Sequence, residues 1–338
     1  MSASILTSWA LLVWQELEAR QLDANSIFSE ANLAPDKLYN AVARYPFSNM
    51  QQLWKLAHSA TEDDFGINTG NRWSPTSFHA LGFAWLASGS LGEALYRVSR
   101  YGKFLNDGLT YDLIAEQLLY RFRISSIVEK NSASTSTPSS MATDAGITAL
   151  LKMLRLLMGE QYSPVQIICP HAPNSASLLL EQLARCPVQY GGDSIEFVFD
   201  RHDIEKKLVT GNIELSSINE QIMVKHIAQI DSGHLSSQVA LSILQLLPTG
   251  NVKEEKIAKA LCISSRTMQR RLAEEGASFA KILQQTRKTL SEKYISDDSL
   301  AISEAAYLLG FSDQANFTRA FKRWHGVSPS QFRRRACA

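Results

Sequence analysis

Two short stretches near the end of the chain place guanidinium, amide and hydroxyl groups at helical spacing. In the first, Met268 and Leu272 form an apolar i, i+4 pair, leaving Arg266, Gln269, Arg270 and Ala273 on the opposite face. A guanidinium can pair bidentately with a guanine edge, and a glutamine amide with adenine, so this face suits base readout in a DNA major groove. In the second, Phe317 and Phe321 are the apolar pair. Ala315, Thr318, Arg319 and Lys322 then face outward, with Gln314 at the N-terminal tip. Ala315 offers at most contact with a thymine methyl, and Lys322 lies toward the helix end, where phosphate is the nearer partner. For each of these side chains solvent exposure or a phosphate contact is the alternative. The three arginines at 333–335 are expected to meet phosphate or to be disordered.

Signatures of other chemistry are missing. There is no G-x-G-x-x-G after a strand, no G-x-x-x-x-G-K, no H-E-x-x-H and no G-x-S-x-G elbow. His79, His171 and His202 read as structural or solvent-facing. An enzymatic site would need His79, His171 and a carboxylate to converge in one cleft. Cys169, Cys186, Cys262 and Cys337 lack C-x-x-C spacing and read as reduced thiols of a cytoplasmic protein. No enzyme activity, metal or cofactor is expected.

The elements that must hold the two polar faces repeat one plan. Residues 253–276 read as a short helix with Ile257, Ala258 and Leu261, a turn at Cys262-Ile263-Ser264, and a second helix capped by Ser264 or Ser265. Residues 301–329 repeat it, with Ile302, Ala305, Ala306 and Leu309, a turn at Gly310, and a helix burying Phe317, Ala320, Phe321 and Trp324. Ala258 and Ala306 each stand four residues before the turn, where a small side chain lets two helices cross closely. Cys262 occupies the place that glycine fills in the second copy. Phe279, Ile282, Leu283, Leu290 and Tyr294 mark a connecting helix between the units. An unrelated helical bundle would explain the periodicity but not the duplicated turn.

Charge separates the chain in the same way. Residues 252–338 hold 16 Lys+Arg and 9 Asp+Glu, a net of +7; of the 34 basic and 33 acidic residues in the whole, 18 and 24 remain in 1–251, a net of −6. A basic end on an acidic body fits a nucleic-acid-binding module joined to a separate partner domain.

The preceding part reads as α+β. Leu6, Trp9, Ala10, Val13, Trp14 and Leu17 recur at helical spacing, as do Met50, Leu53, Trp54 and Ala57; Ser90 caps a helix with Leu91, Ala94, Leu95 and Val98 on one face. Strands are expected over 109–115, 116–124, 165–169 and 195–199, a polar loop over 131–140, and an apolar helix around 147–158. Residues 164–208 read as strand, helix, strand, strand, with Tyr190-Gly191-Gly192-Asp193 turning between the last two. Ser232-Gly233 and Pro248-Thr249-Gly250-Asn251 punctuate the passage to the final domain, so the domains are expected at 1–231 and 232–338. No apolar run is long enough for a membrane span. The stretch 5–13 is interrupted by Thr7, Ser8 and Trp9 with no preceding Lys or Arg, which argues against a signal peptide.

Residues 252–335 resemble the DNA-binding domain of the AraC/XylS-type regulators, through "EAAYLLGFSDQANFTRAFKRWHGVSPSQFRR" (304–334) and "SSRTMQRRLAEEG" (264–276). The N-terminal part is similar to the arabinose-binding-like regulatory half of one branch, through "FVFDRHDIEKKL". The resemblance implies a transcription activator binding double-stranded DNA, with Arg266, Gln269, Arg270, Gln314 and Arg319 at base-contact positions. It also implies RNA polymerase as a partner, a small cytoplasmic effector in the N-terminal domain, and a homodimer. Trp73, Phe78, Phe83, Trp85, Tyr96, Tyr101 and Phe104 are candidates for an effector pocket or for core. An N-terminal domain that only dimerises or binds protein partners is the alternative, and a closed apolar cavity with a few polar groups would decide for an effector.

Overall fold

The computed structural model describes residues 3–40, 42–127, 139–230, 235–247, 250, 252–296 and 300–336. Most of the expected 131–140 loop, Ser232-Gly233, Pro248, Thr249, Asn251 and Cys337 lie outside these residues. The chain divides into two compact units, 1–226 and 227–338. The division falls ahead of the expected 231.

The first unit begins with β1 (Ser4–Leu6), α1 (Thr7–Ala19), α2 (Ala24–Glu30), β2 (Arg44–Pro46) and α3 (Phe47–Ala60). There follow α4 (Phe65–Asn71), α5 (His79–Leu86) and α6 (Leu91–Tyr101). The apolar stripes read from the sequence are core: Ala10, Val13 and Leu17 of α1 and Leu53 and Ala57 of α3 are wholly buried. Ser90 caps α6, its hydroxyl accepting from the Glu93 amide.

A five-stranded sheet follows, built of β3 (Leu109–Ala115), β4 (Leu119–Ser126), β5 (Gln166–Cys169), β6 (Val188–Tyr190) and β7 (Ile195–Asp200). Helix α7 (Ser140–Met158) connects β4 to β5, and α8 (Ser177–Ala184) connects β5 to β6. The spatial order is β3-β4-β7-β5-β6, antiparallel except for the β5–β6 pair. Tyr190–Asp193 therefore joins two strands that are not neighbours. Strand β4 starts at Leu119, not at 116: Glu116, Gln117 and Leu118 are exposed and turn the chain, with the Leu119 carbonyl accepting from the Glu116 amide at 2.8 Å. The unit's remaining helices are α9 (Arg201–Glu205) and α10 (Ile213–Ile230), and the division between the units falls within α10.

Helix α7 begins seven residues before the expected 147. The Ser139 hydroxyl caps it by accepting from the Ala142 amide. Its first turns are held by α4, where Gly66 and Gly70 let the backbones touch. A Cβ at either glycine would collide with the Met141 or Ala145 carbonyl oxygen. At the other end, Trp85 Nε1 donates to the Met153 carbonyl at 3.0 Å, fixing α5 on α7.

The second unit is all-helical: α11 (Leu235–Leu246), α12 (Glu254–Ala260), α13 (Ser265–Glu274), α14 (Phe279–Ser296), α15 (Ile302–Leu308), α16 (Gln314–His325) and α17 (Pro329–Ala336). It contains two small cores. Val239, Ile243, Ile257, Ala258, Met268 and Leu272 form one; Ile295, Ala305, Ala306, Leu309, Phe317 and Phe321 form the other. Leu290 of α14 packs against both, so the long helix joins the two. No helix among the described residues is long and apolar enough to cross a membrane.

Candidate nucleic-acid interface and effector cavity

The two helix-turn-helix units share one turn geometry. Cys262 has φ +57° and Gly310 φ +68°, both left-handed, each four residues after its alanine. The Cys262 amide donates to the Lys259 carbonyl and the Ile263 amide to the Ala258 carbonyl, at 3.1 and 3.0 Å. The second turn repeats this pair: Gly310 to Tyr307 at 2.8 Å and Phe311 to Ala306 at 3.0 Å. These are the bonds that satisfy the last carbonyls of a helix ending in a left-handed residue. Cys262 thus adopts the glycine conformation despite its Cβ.

Each second helix is capped. Ser264 Oγ accepts from the Thr267 amide at 3.1 Å, and Asp313 Oδ1 from the Asn316 amide at 2.7 Å. The Asn316 amide bond, followed by hydrogen bonds from Ser312 and Asn316 side chains, holds the Asp313 carboxyl below the usual carboxylate range. A cap of this type fixes where the helix starts and hence which residues face outward.

Of the seven residues singled out for DNA, Arg266, Gln269 and Arg270 on α13 and Gln314, Arg319 and Lys322 on α16 are exposed; Thr318 is half-buried. Arg270 lies 3.9 Å from Glu274 in a largely exposed pair of little energetic weight. Arg319 differs: its Nη2 donates to Asn316 Oδ1 at 2.6 Å, and Asn316 in turn bonds Asp313. Arg319 and Asn316 border a groove that also takes in Arg287, Ser312 and Arg323.

Two arginines have positioning roles that periodicity does not reveal. Arg287 of α14 donates to the Leu309 and Gly310 carbonyls at 2.9 and 2.7 Å and lies 4.5 Å from the Phe311 ring centroid. Its burial pushes the guanidinium pKa down from its ordinary value. Arg333 donates to the Ile295 and Leu300 carbonyls, both at 2.8 Å. The expectation of a phosphate-directed or disordered Arg333 is therefore corrected: it fastens α17 to the end of α14. Arg334 is exposed and makes only a long bond to the Ser330 carbonyl at 3.4 Å.

The first unit contains a partly open cavity of about 550 Å³. Trp9, Phe47, Trp54, Phe78, Tyr111 and Phe122 supply its aromatic wall, with Met50, Leu150 and Met153 beside them. Its polar lining includes Gln51, Asn106, Ser125, Thr143, Asp193 and Ser194. Of the seven aromatic residues proposed for a pocket, Phe78 alone lines it. Trp73, Trp85, Tyr101 and Phe104 are buried core, whereas Phe83 and Tyr96 are more than two-fifths exposed. The wall is assembled from β1, α1, α3, β3, β4 and α7, so linear spacing carries no sign of it. Burial raises the Tyr111 phenol above its ordinary pKa and keeps it neutral.

Beside this wall, Asp144, Cys169 and His171 form the one close group of potential metal ligands among the described residues. Both imidazole nitrogens are already engaged: Nδ1 with the Ala172 carbonyl at 2.7 Å, Nε2 with Asp144 Oδ1 at 2.8 Å. Two acceptors require two ring protons, so this is an imidazolium–carboxylate pair, and 2.8 Å leaves no room for an ion between. Burial alone would lower the His171 pKa, but Asp144, Cys169 and the Ala172 carbonyl outweigh it and raise it to about 10. His79 stands apart from this pair, against Phe104, and His202 is exposed. The convergence required for an enzymatic site does not occur.

Comparison with known proteins agrees with the fold. Residues 22–208 match the family described as the arabinose-binding domain of AraC transcription regulator, N-terminal, and residues 257–335 match a helix-turn-helix domain. The chain belongs to the AraC-type transcription regulators with an arabinose-binding-like N-terminal domain, a DNA-binding and non-enzymatic family. It is 23% identical to the regulator VqsM of Pseudomonas aeruginosa, over 94% of each chain. It is 25% identical to the ornithine utilization regulator of the same organism, covering 91% of this chain and 90% of that one. With VirS of Mycobacterium tuberculosis it shares 30% identity over 54% of this chain and 53% of the other. The crystal structure of CdpR from Pseudomonas aeruginosa aligns over 96% of this chain and 98% of that chain at 18% identity, TM-score 0.47.

Proposed function

We propose that this regulator reads a specific DNA sequence through both recognition helices under control of a small effector held in the N-terminal cavity. On α13, Arg266, Gln269 and Arg270 meet base edges. On α16, Gln314 and Arg319 do so, while Thr318 and Lys322 support contact with the neighbouring backbone. The observation that carries this is the repetition of one turn geometry, each copy presenting an exposed guanidinium-bearing helix. The basic balance of the last 87 residues, net +7, supports phosphate-driven affinity. RNA polymerase and a second copy of the chain are the further partners of this reading, in a cytoplasmic activator. Functionally, residues 1–231 are the regulatory half and 232–338 the DNA-binding half.

The cavity is largely apolar but partly open to solvent; its size and apolar lining support an effector over an N-terminal domain that only dimerises or binds protein.

Footprinting at several salt concentrations tests the DNA reading. One protomer should protect two successive major-groove segments about one helical turn, roughly 34 Å, apart. The site should be asymmetric, because the two recognition helices differ in sequence. Affinity should fall steeply between low and moderate salt. A single protected half-turn per protomer would mean that only one unit reads DNA.

A further inference from the structure

The cavity's lining constrains the chemistry of what it holds, and this step rests on the effector reading above. Its polar groups are unevenly placed. Ile124 of β4 pairs with Ile195 of β7, so continuing the register brings Ser125 and Ser126 beside Ser194 and Asp193. Thr143 of α7 also lines the cavity; it is only 1% exposed, and its hydroxyl has no hydrogen-bond partner. A buried hydroxyl left unpaired is destabilising, which a ligand's polar group would offset. The rest of the wall is mainly aromatic and aliphatic, with Ser8, Gln51 and Asn106 among its further polar members.

Charge is the second constraint. Among the described residues no lysine, arginine or histidine lines the cavity, and the one carboxyl group belongs to Asp193. Arg44 is close enough to influence Tyr111, but its guanidinium is committed to Ser4, the Phe104 carbonyl and Asp107. A carboxylate or phosphate ligand would find no counter-charge among the described lining residues and would lose its hydration.

The third observation is Gly146. It sits in the middle of the 19-residue helix α7, lines the cavity, and a Cβ built on it meets nothing within 4 Å. Glycine inside a helix is destabilising relative to alanine. Here it holds space open instead of allowing a close approach, unlike Gly66 and Gly70.

We infer that the cavity receives an uncharged, mainly apolar small molecule with a hydrogen-bonding group at one end, taken by Thr143. Charged molecules are disfavoured by the described lining.

The full-length chain can be titrated with 1-decanol, decanoate, L-arabinose and L-ornithine, reading tryptophan fluorescence, since Trp9 and Trp54 line the cavity, and the melting temperature. Decanol should quench saturably and raise the melting temperature; decanoate should bind at least roughly tenfold more weakly. Thr143→Val should weaken decanol roughly 3–10-fold without lowering the melting temperature of the free chain. Gly146→Leu should fill the space and abolish saturable binding, again with no loss of stability. The proposal is overturned if decanol never saturates, if Gly146→Leu binds it unchanged, or if decanoate, arabinose or ornithine binds better. DNA affinity with and without the bound probe separates the two levels. Arabinose that saturates and alters DNA binding would retain the effector and remove the ligand class. Decanol that binds the wild type but not Gly146→Leu, with DNA affinity unmoved, would retain the ligand class and remove the effector.

Discussion

The two helix-turn-helix units reach the same backbone by different side-chain chemistry. The first packs aliphatic residues, Ile257, Met268 and Leu272 against Val239 and Ile243, and forces Cys262 into a left-handed turn. The second uses glycine at that turn and an aromatic core in which Phe311, Phe317, Phe321 and Phe332 meet edge to face. Arg287 clamps the second turn from outside through two carbonyls. The recognition faces differ likewise. Arg319 is held by Asn316, itself held by the Asp313 cap, whereas Arg270 has only a loose, exposed partner. A side chain already ordered loses less conformational freedom on binding. The second face is thus preorganised and the first adaptable. What the duplication preserves is the hydrogen bonding of the turn, not the means of enforcing it.

The largest effect should come from removing the clamp present in one unit alone. Arg287→Ala leaves the Leu309 and Gly310 carbonyls without their donor and loses contact with Phe311. The expected cost is about 2–3 kcal/mol. Amide hydrogen exchange should show the loss concentrated in α15 and α16, with α12 and α13 little changed. Equal loss of protection in both would break the contrast, since it would make Arg287 a support of the whole unit.

Readout should differ next. Arg270→Ala is expected to cost about 1–3 kcal/mol on a cognate duplex and to relax preference at one base pair. Lys322→Ala should weaken cognate and scrambled duplexes alike and lower the salt slope by about one. A bidentate pair depends on the base edge, whereas a phosphate contact depends on charge and distance. Binding isotherms on both duplexes across salt concentrations decide between them. If Arg270→Ala weakens the two equally, the adaptable face is not the reader.

Much of this architecture is legible in the residues because it depends on short-range periodicity. The pairs Met268/Leu272 and Phe317/Phe321 place six of the seven DNA-facing candidates on the exposed surface, and the 109–115 strand matches β3 residue for residue. The early start of α7 is hidden because Thr143 and Gly146 are weak helix formers; tertiary packing against Gly66 and Gly70 decides it. Arg287 and Arg333 were illegible for another reason. Each bonds carbonyls more than twenty residues away, and an arginine bound to distant backbone looks in sequence like any surface arginine. The cavity was hidden most completely, since the clustered aromatics Trp73, Phe83 and Trp85 drew attention from walls contributed by separate elements.

The smallest expected effects lie at the two turns, and their opposite signs test whether both truly demand a left-handed residue. Gly310→Ala must hold φ near +68° with a Cβ 3.3 Å from both Arg287 Nη2 and the Leu247 carbonyl, so a loss of about 1–2 kcal/mol is expected. Cys262→Gly removes the same conformational penalty, about 1–2 kcal/mol, at φ +57°. Against this stands the greater freedom of glycine in the unfolded chain, about 0.5–1 kcal/mol. The Cys262 side chain is exposed, so little packing is lost with it. The net expectation is a gain of about 0.5 kcal/mol, read as a small rise in the denaturation midpoint of the second unit. Cys262→Ala supplies the control, since it removes the thiol but keeps the Cβ and should leave stability nearly unchanged. A stabilising alanine together with a neutral glycine would trace the effect to the sulfur and overturn the strained-turn account of the first unit.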